Sequence, residues 1–397
     1  MIVYTYYGDP WKLKSGDVIR IYTICKTLRT LTDRIIVYNL NHLINKPSIT
    51  RYENILYYSV PRKFYNIMAK LTNWRNMEEL NPLMKLTHYI DEFIATIKSF
   101  NILKQYRIAY IFGSMTLFSF FSRVLGVRCK FIYDPLSNYA QTLYIRSRKS
   151  LKEFLRYGLY LALYKLQLKV SDLIIYPSRI DLENAKRMFD VKKALVVENP
   201  LPIHYHSEEY IMLRAERNDF SRPYFILLAG GKGPANEEAI KLTISVFNNL
   251  PQHRFKLFIT GPWTDMSRYV KNSSIKLLGV VPNSELKKLL AISDYGLSPV
   301  FSHAAGTFLK VLAYIAAGLD IIVSTPSLLG IDLFMIRKRK VFLVRNINEY
   351  AETIQKIINN WPDEKTPERL RLHNVYTSDP SIIIREQLRN VLQSIVK

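Results

Sequence analysis

Short apolar runs rich in Ile, Val and Tyr alternate with helical stretches along nearly the whole chain, and the alternation breaks once. In the first half MIVYTYY, RIIVYNL, ILYYSV, AYIFG, KFIYDP, DLIIYPS and ALVVENP read as strands. VIRIYTICKTLRTL, the segment from about Asn81 to Phe100, MTLFSFFSRVLG, the stretch 150–170 and DLENAKRMF carry helical spacing. Strands and helices in strict alternation specify parallel, doubly wound sheets. The stretch ENPLPIHYHSEEYIMLRAERNDFSRP then loses periodicity and collects prolines, histidines and charges, as a linker does. The same grammar resumes with YFILLAG, EEAIKLTISVFNNL, KLFITG, IKLLGVV, NSELKKLLAI, YGLSPV, TFLKVLAYIAAG, IIVST and KVFLV, and IIIREQLRNVLQSIVK reads as a terminal helix. For 397 residues, two α/β domains of ~200 residues each are expected. The boundaries read as a first domain over 1–200, a linker over 201–222, a second domain over 223–378 and a helix over 379–397.

Charge is the compositional feature that bears on partners. The net charge is +23, and residues 1–200 carry 31 Lys+Arg against 15 Asp+Glu, a net of +16. Within 98–170 there are 13 basic residues and two acidic ones, Asp134 and Glu153. Such a field attracts phosphates, on a nucleotide, a nucleic acid or an anionic membrane surface. Two cysteines, Cys25 and Cys129, supply neither a disulfide framework nor a metal-ligand spacing. No basic region precedes a long apolar run at MIVYTYYGDPW, so no secretory leader is expected. The most apolar later stretches are interrupted by Arg123, Arg156, Lys165 and Lys169, short of the ~20 residues a span needs. A cytoplasmic protein, free or peripheral at the inner membrane face, is the expectation.

Four segments in order carry a family likeness: SDLIIYPS followed by VVENP; YFILLAGGKGPANEEAI; IKLLGVVPNSELKKLLAISDYGLSPV; and GTFLKVLAYIAAGLDIIVST. Together they resemble the retaining group-1 (family 4) glycosyltransferases of the GT-B fold, most strongly over about 224–326. The resemblance implies two Rossmann-like doubly wound domains facing across a cleft, with a C-terminal helix. It also implies transfer of a sugar from a nucleotide-diphosphate sugar, with retention, to a lipid-linked or cell-surface glycan. No cofactor beyond that donor substrate is implied, and no metal constellation is visible.

The residues themselves point the same way. Ligands of open parallel sheets sit at the carboxyl ends of strands. Gly306 and Thr307 fall between a strand and a helix, where free N–H groups and the positive dipole end suit a diphosphate. Lys310, one turn on, adds a full charge, and Lys232 in the GGKG loop reaches from another strand end. Gly230, Gly231 and Gly233 let the backbone approach a ligand. Each feature has a plainer reading: Lys310 as a solvated helix lysine, GGKGP as a tight turn. Gly279, Val280 and Val281 map by resemblance onto the loop bordering the nucleobase, and equally suit an ordinary strand end. In the first domain GDPWKLKSGDVIR resembles the donor-facing loop, with Gly16 nearest the donor and Arg20, donor-facing or solvated, on the following helix. Asp134 in IYDPLSNY sits at a strand end, as an acceptor-side residue with a catalytic role or as the opener of a turn before Pro135.

Members of the resembled family carry a Glu-x7-Glu signature around this helix, one carboxylate for the donor sugar and one for the ribose. Here both positions are alanine, Ala305 and Ala313. Losing a charge-assisted hydrogen bond costs ~1.5–3 kcal/mol. His303 at the sugar and Glu237 or Glu238 in the cleft are the candidates to compensate. Transfer on one donor face needs no protein nucleophile, because the departing diphosphate helps deprotonate the acceptor. What remains is charge stabilisation and positioning, which lysines and a helix dipole supply. A catalytically inactive GT-B partner subunit or binding protein stays open as the alternative. A nucleic-acid-binding protein is the weaker one, since no such module is recognisable. Finally, SRKSLKEFLRYGLYLALYKLQLKV mixes Lys and Arg with Leu and Tyr, which suits an anionic membrane interface or a packed helix with solvated charges.

Overall fold

The computed structural model describes residues 1–5, 16–32, 35–41, 46–52, 55–62, 82–113, 116–136, 151–231, 233–301, 308–331, 336, 339–361 and 381–396. Two compact units emerge, residues 1–200 with 381–397 and residues 201–380. The first holds β1 (Ile2–Thr5), α1 (Gly16–Leu31), β2 (Ile36–Asn41), β3 (Ser48–Tyr52), β4 (Ile55–Pro61), α2 (Pro82–Leu103), β5 (Ile108–Phe112), α3 (Thr116–Val124), β6 (Lys130–Asp134), α4 (Leu151–Val170), β7 (Leu173–Tyr176), α5 (Arg179–Met188) and β8 (Ala194–Val196). The second holds α6 (Ser207–Ala215), β9 (Tyr224–Leu228), α7 (Pro234–Asn248), β10 (Lys256–Thr260), β11 (Ile275–Gly279), α8 (Asn283–Ile292), β12 (Tyr295–Ser298), α9 (Leu309–Ala316), β13 (Asp320–Ser324), β14 (Val341–Val344) and α10 (Ile347–Asn359). The chain then returns to the first unit as α11 (Ser381–Val396).

The first sheet runs β3-β4-β2-β1-β5-β6-β7-β8, parallel except for the antiparallel edge strand β3. Alternation along each strand feeds two cores, as a sheet covered on both faces requires. Ile2, Tyr4, Ile111 and Tyr133 pack with residues of α2, α3, α4 and α5. Val3, Tyr110, Phe112 and Ile132 pack with Ile21, Ile24 and Leu28 of α1. Ile384, Leu388, Val391 and Ile395 of α11 join that second core, so helical spacing places the terminal helix against α1.

The second sheet is all parallel in the order β11-β10-β9-β12-β13-β14. Strands β9, β10 and β11 proceed outward one way and β12, β13 and β14 the other, so the topology reverses between β9 and β12. Helices α7 and α10 cover one face, and α6, α8 and α9 the other.

The stretch expected to be a linker contains α6 and is part of the second unit. Its arginines point inward. Arg214 and Arg217 donate to Asp294 Oδ1 at 3.1 and 2.6 Å, while Asp294 Oδ2 accepts from the Tyr224 N–H at 2.8 Å. Arg217 also lies over the Tyr224 ring, 4.2 Å from its centroid. Tyr210 and Leu213 are the apolar residues this short helix turns to the core, and arginines share the burial, so little apolar periodicity shows in the sequence there. Helix α10 is likewise absent from the expected elements, although Asn346 caps it by accepting from the Glu349 N–H at 2.9 Å.

Candidate active site

In open parallel sheets the crevice forms where strand order reverses, outside the carboxyl ends. In the second unit that point lies between β9 and β12. These strands pair only at Tyr295 with Phe225 and Gly296 with Ile226. Beyond that they are bridged by one side chain, Tyr314 of α9. Its hydroxyl accepts from the Leu228 N–H at 2.8 Å and donates to the Leu297 carbonyl at 3.0 Å. The phenol thus satisfies backbone groups that lose their ladder partners, and burial pushes its pKa well above the usual tyrosine range.

Two loops lead out of this opening. After β9 come Ala229, Gly230 and Gly231, then the start of α7. A Cβ built on Gly230, Gly231 or Gly233 would meet nothing within 4 Å, and none of the three has positive φ. Glycine is therefore not demanded by backbone geometry or packing there; it leaves the loop bare toward the crevice. Gly261 at the end of β10 is the contrast. Its φ is +118° and a Cβ would fall 1.9 Å from the Ala229 carbonyl oxygen. That close approach, with Trp263 Nε1 donating to Ala229 O at 2.8 Å, pins the end of β9.

Helix α7 supplies the cross-links. Asn236 Nδ2 donates to the Gly231 carbonyl at 2.8 Å, and its Oδ1 accepts from Lys310 Nζ at 2.6 Å. Glu238 Oε1 accepts from the Phe301 N–H at 2.9 Å, tying α7 to the loop after β12. Among the described residues neither α7 nor α9 has a side-chain cap from its N-cap residue, and both helices turn their positive dipole ends to this corner. Pro234 opens α7, where a missing N–H costs nothing.

Lys310 is the one cation among the described residues at this corner, and burial draws its pKa down to about 8. The folded chain therefore sheds this proton before the unfolded chain does. Stability should rise with pH from about 8 to the ordinary lysine range, as the burial penalty on the charge is relieved. An anionic ligand has the opposite linkage, since it needs the ammonium. We expect nucleoside-diphosphate affinity, read by calorimetry, to fall by up to about tenfold per pH unit above that pKa. In Lys310→Met the profile should be flat.

Gly279 ends β11 with φ +69°, its carbonyl accepting from Gly261 N–H at 2.7 Å, and Val281 packs against the α8–α9 core. Both lie along the carboxyl rim, beyond β10 from the switch point. Glu237 pairs with Lys241 at 2.6 Å on the outer side of α7, so only Glu238 of the two turns inward. Ala313 is buried in the core with Val311, Leu312 and Ile315, where a carboxylate would lie in apolar surroundings. Lys232, His303, Ala305, Gly306 and Thr307 lie outside the described residues.

In the first unit Gly16 is the first residue of α1. Arg20, one turn on, is buried: its Nη2 pairs with Asp134 Oδ2 at 2.9 Å and its Nη1 donates to Glu198 O at 3.0 Å and Asn199 Oδ1 at 3.2 Å. It is neither solvated nor free to meet a donor. Asp134 also accepts from the Tyr110 hydroxyl at 2.9 Å and, through Oδ1, from the Leu136 N–H at 3.0 Å. Leu136 has φ 63°, a strained conformation for leucine that this bond helps to hold. The carboxylate is fully buried and engaged on both oxygens, so the arrangement fixes a strand end and leaves no lone pair poised for proton transfer. Among the described residues no group of three or more His, Cys, Asp or Glu could hold a metal ion.

Residues 223–360 match the family model for glycosyl transferases group 1. No curated protein matches in sequence. Among solved structures, sucrose-phosphate synthase from Thermosynechococcus elongatus aligns with TM-score 0.73 at 12% identity, covering 100% of this chain and 98% of that one. The UDP-forming α,α-trehalose-phosphate synthase from Burkholderia xenovorans aligns with TM-score 0.67 at 11% identity, over all of both chains. WaaG, a glycosyltransferase involved in lipopolysaccharide biosynthesis, aligns with TM-score 0.67 at 12% identity, over 98% of this chain and 99% of that one. Residues 223–360 of the second unit thus carry a glycosyl transferases group 1 domain, and the chain as a whole has the GT-B fold of these neighbours.

Proposed function

We propose that this enzyme transfers a sugar from a nucleotide-diphosphate sugar, with retention, to a lipid-linked or cell-surface glycan. The observation that carries the reading is the corner at the β9–β12 switch point, where Lys310, held by Asn236, meets a bare glycine loop and two uncapped helix starts. A diphosphate fits this chemistry: N–H donors, positive dipole ends and one ammonium. Fold neighbours support a nucleotide-sugar donor, since one is UDP-forming and a trehalose-6-phosphate synthase is described by glycosyltransfer with retention.

In this mechanism the bond between the anomeric carbon and the diphosphate breaks as the acceptor oxygen approaches on the same face. The acceptor proton passes to the departing diphosphate oxygen. Lys310 and the starts of α7 and α9 stabilise the charge that develops there. Lys232, Gly306 and Thr307 would complete the diphosphate cradle, Gly231 its floor, and His303 would meet the sugar. Gly279 and Val281 would border the base and Gly16 the donor. Asp134 acts as a positioning residue, holding the acceptor-side strand end through Arg20 and Tyr110. No resident cofactor is invoked.

The test is a transfer assay with UDP-, GDP- and ADP-sugars and polyprenyl-phosphate or glycan acceptors, with product configuration read by NMR. One donor should yield a product of unchanged anomeric configuration, and Lys310→Ala should lose ~ten- to a hundredfold in rate. An inverted product, or a variant as active as the parent, would refute the proposed mechanism.

A further inference from the structure

Helix α4 of the first unit is apolar on its outer face as well as its inner one. Its polar-tipped side chains face the core: Tyr164 bonds the Tyr176 hydroxyl at 2.9 Å and Gln167 bonds Ser119 Oγ at 3.1 Å, all in buried surroundings. Leu161 and Leu168 pack there too, yet other large apolar side chains of the helix face out. Leu151, Phe154, Leu155 and Leu159 are 74%, 58%, 64% and 47% exposed. At helical spacing these fall on one stripe. The adjacent helix α3 ends in Val124, 65% exposed, and α2 and α4 both pack against α3. Single exposed leucines are ordinary; a contiguous outward apolar face is not.

Charge says what covers it. The same stripe continues into exposed Lys165 and Lys169, and Arg146, Arg148 and Lys149 stand just before α4 in the chain. The sequence 98–170 carries 13 basic and two acidic residues. Apolar side chains that insert at acyl depth, continued along the same stripe by cations at headgroup level, match an anionic bilayer surface. No helix among the described residues is long and apolar enough to cross a membrane. The apolar end of the stripe is the start of α4, which follows the carboxyl end of β6, the end of the sheet at which ligands are taken.

We propose that the outer face of α4 docks the first unit onto an anionic lipid bilayer, presenting the carboxyl end of its sheet to a membrane-borne acceptor; the acceptor clause rests on the transfer reading above. The experiment is co-sedimentation of the full chain with vesicles of phosphatidylcholine alone and of phosphatidylcholine mixed with phosphatidylglycerol. Binding should require the anionic lipid and weaken with salt. Phe154→Ser/Leu155→Ser should bind at least about tenfold less tightly, and Lys165→Glu/Lys169→Glu should lose low-salt binding. These side chains are exposed, so melting temperature and nucleoside-diphosphate affinity should stay at parental values in both variants. Failure of vesicle binding with nucleotide affinity intact would sink the docking surface alone. Equal binding by variant and parent would overturn it, as would a dimer, seen by sedimentation velocity, that the Phe154/Leu155 variant abolishes.

Discussion

Replacing Asp294 with alanine should destabilise the second unit by ~3–5 kcal/mol, the range for breaking a buried ion pair from one side. The reason is what stays behind. Arg214 and Arg217 would remain buried without their countercharge, and the Tyr224 N–H would lose its acceptor. At ~2–4 °C per kcal/mol for a unit of this size, the melting transition should drop by on the order of 10 °C. The desolvation account also fixes the double variant. Asp294→Leu/Arg217→Met should be less destabilised than the sum of its two single variants, because the second change removes one of the stranded charges. Strict additivity in thermal or guanidinium melts would contradict it.

Gly296→Ala should be as damaging, for steric reasons. A Cβ on Gly296 would sit 2.2 Å from Cγ of the Tyr314 ring. The ring has little room to retreat, since its hydroxyl is tied to both Leu228 and Leu297. Overpacking costs ~1–3 kcal/mol, and each backbone group stranded when the phenol moves adds ~1–3 kcal/mol. A loss of about 3–5 kcal/mol follows. Tyr314→Leu in the same chain should absorb much of the clash, so the pair should fall short of the summed single losses. A Gly296→Ala chain that melts like the parent would show that Tyr314 does not wedge the two strands apart.

These two sites mark the limit of what the sequence displays. Strand and helix alternation gives β1, β5, β9 and β12 directly, because each is an apolar run bounded by turns. It misses β3, whose SITRY has a mostly exposed edge-strand surface. It misses α6, where arginine shares the burial with Tyr210 and Leu213. Lys310 is legible because it heads a helical run after a glycine-threonine pair, whereas its partner Asn236 lies 74 residues earlier in the chain and only folding brings them together. Tyr314 reads as one more apolar helix residue; its function as a bridge depends on strands that splay. Arg20 and Asp134 are both visible as polar residues near chain turns, yet their pairing across 114 residues changes their meaning from ligand-facing groups to a buried clamp. Ala313 shows the converse. Its small size looks like a lost carboxylate in sequence, and in the fold it is a close-packed core position.

The proposed grip on a diphosphate through Lys310 at the β9–β12 crevice predicts a defined difference in binding. Its most direct test is calorimetric titration of the parent chain and of Lys310→Met with a nucleoside diphosphate and the matching nucleoside monophosphate, below about pH 8 where the lysine is charged. For the preferred base the parent should bind the diphosphate ~ten- to a hundredfold more tightly than the monophosphate, the worth of a charge-assisted contact. In Lys310→Met that gap should collapse while the protein stays at least as stable, since a buried charge has been removed. A gap that survives in Lys310→Met would contradict the account, as would equal binding of diphosphate and monophosphate by the parent.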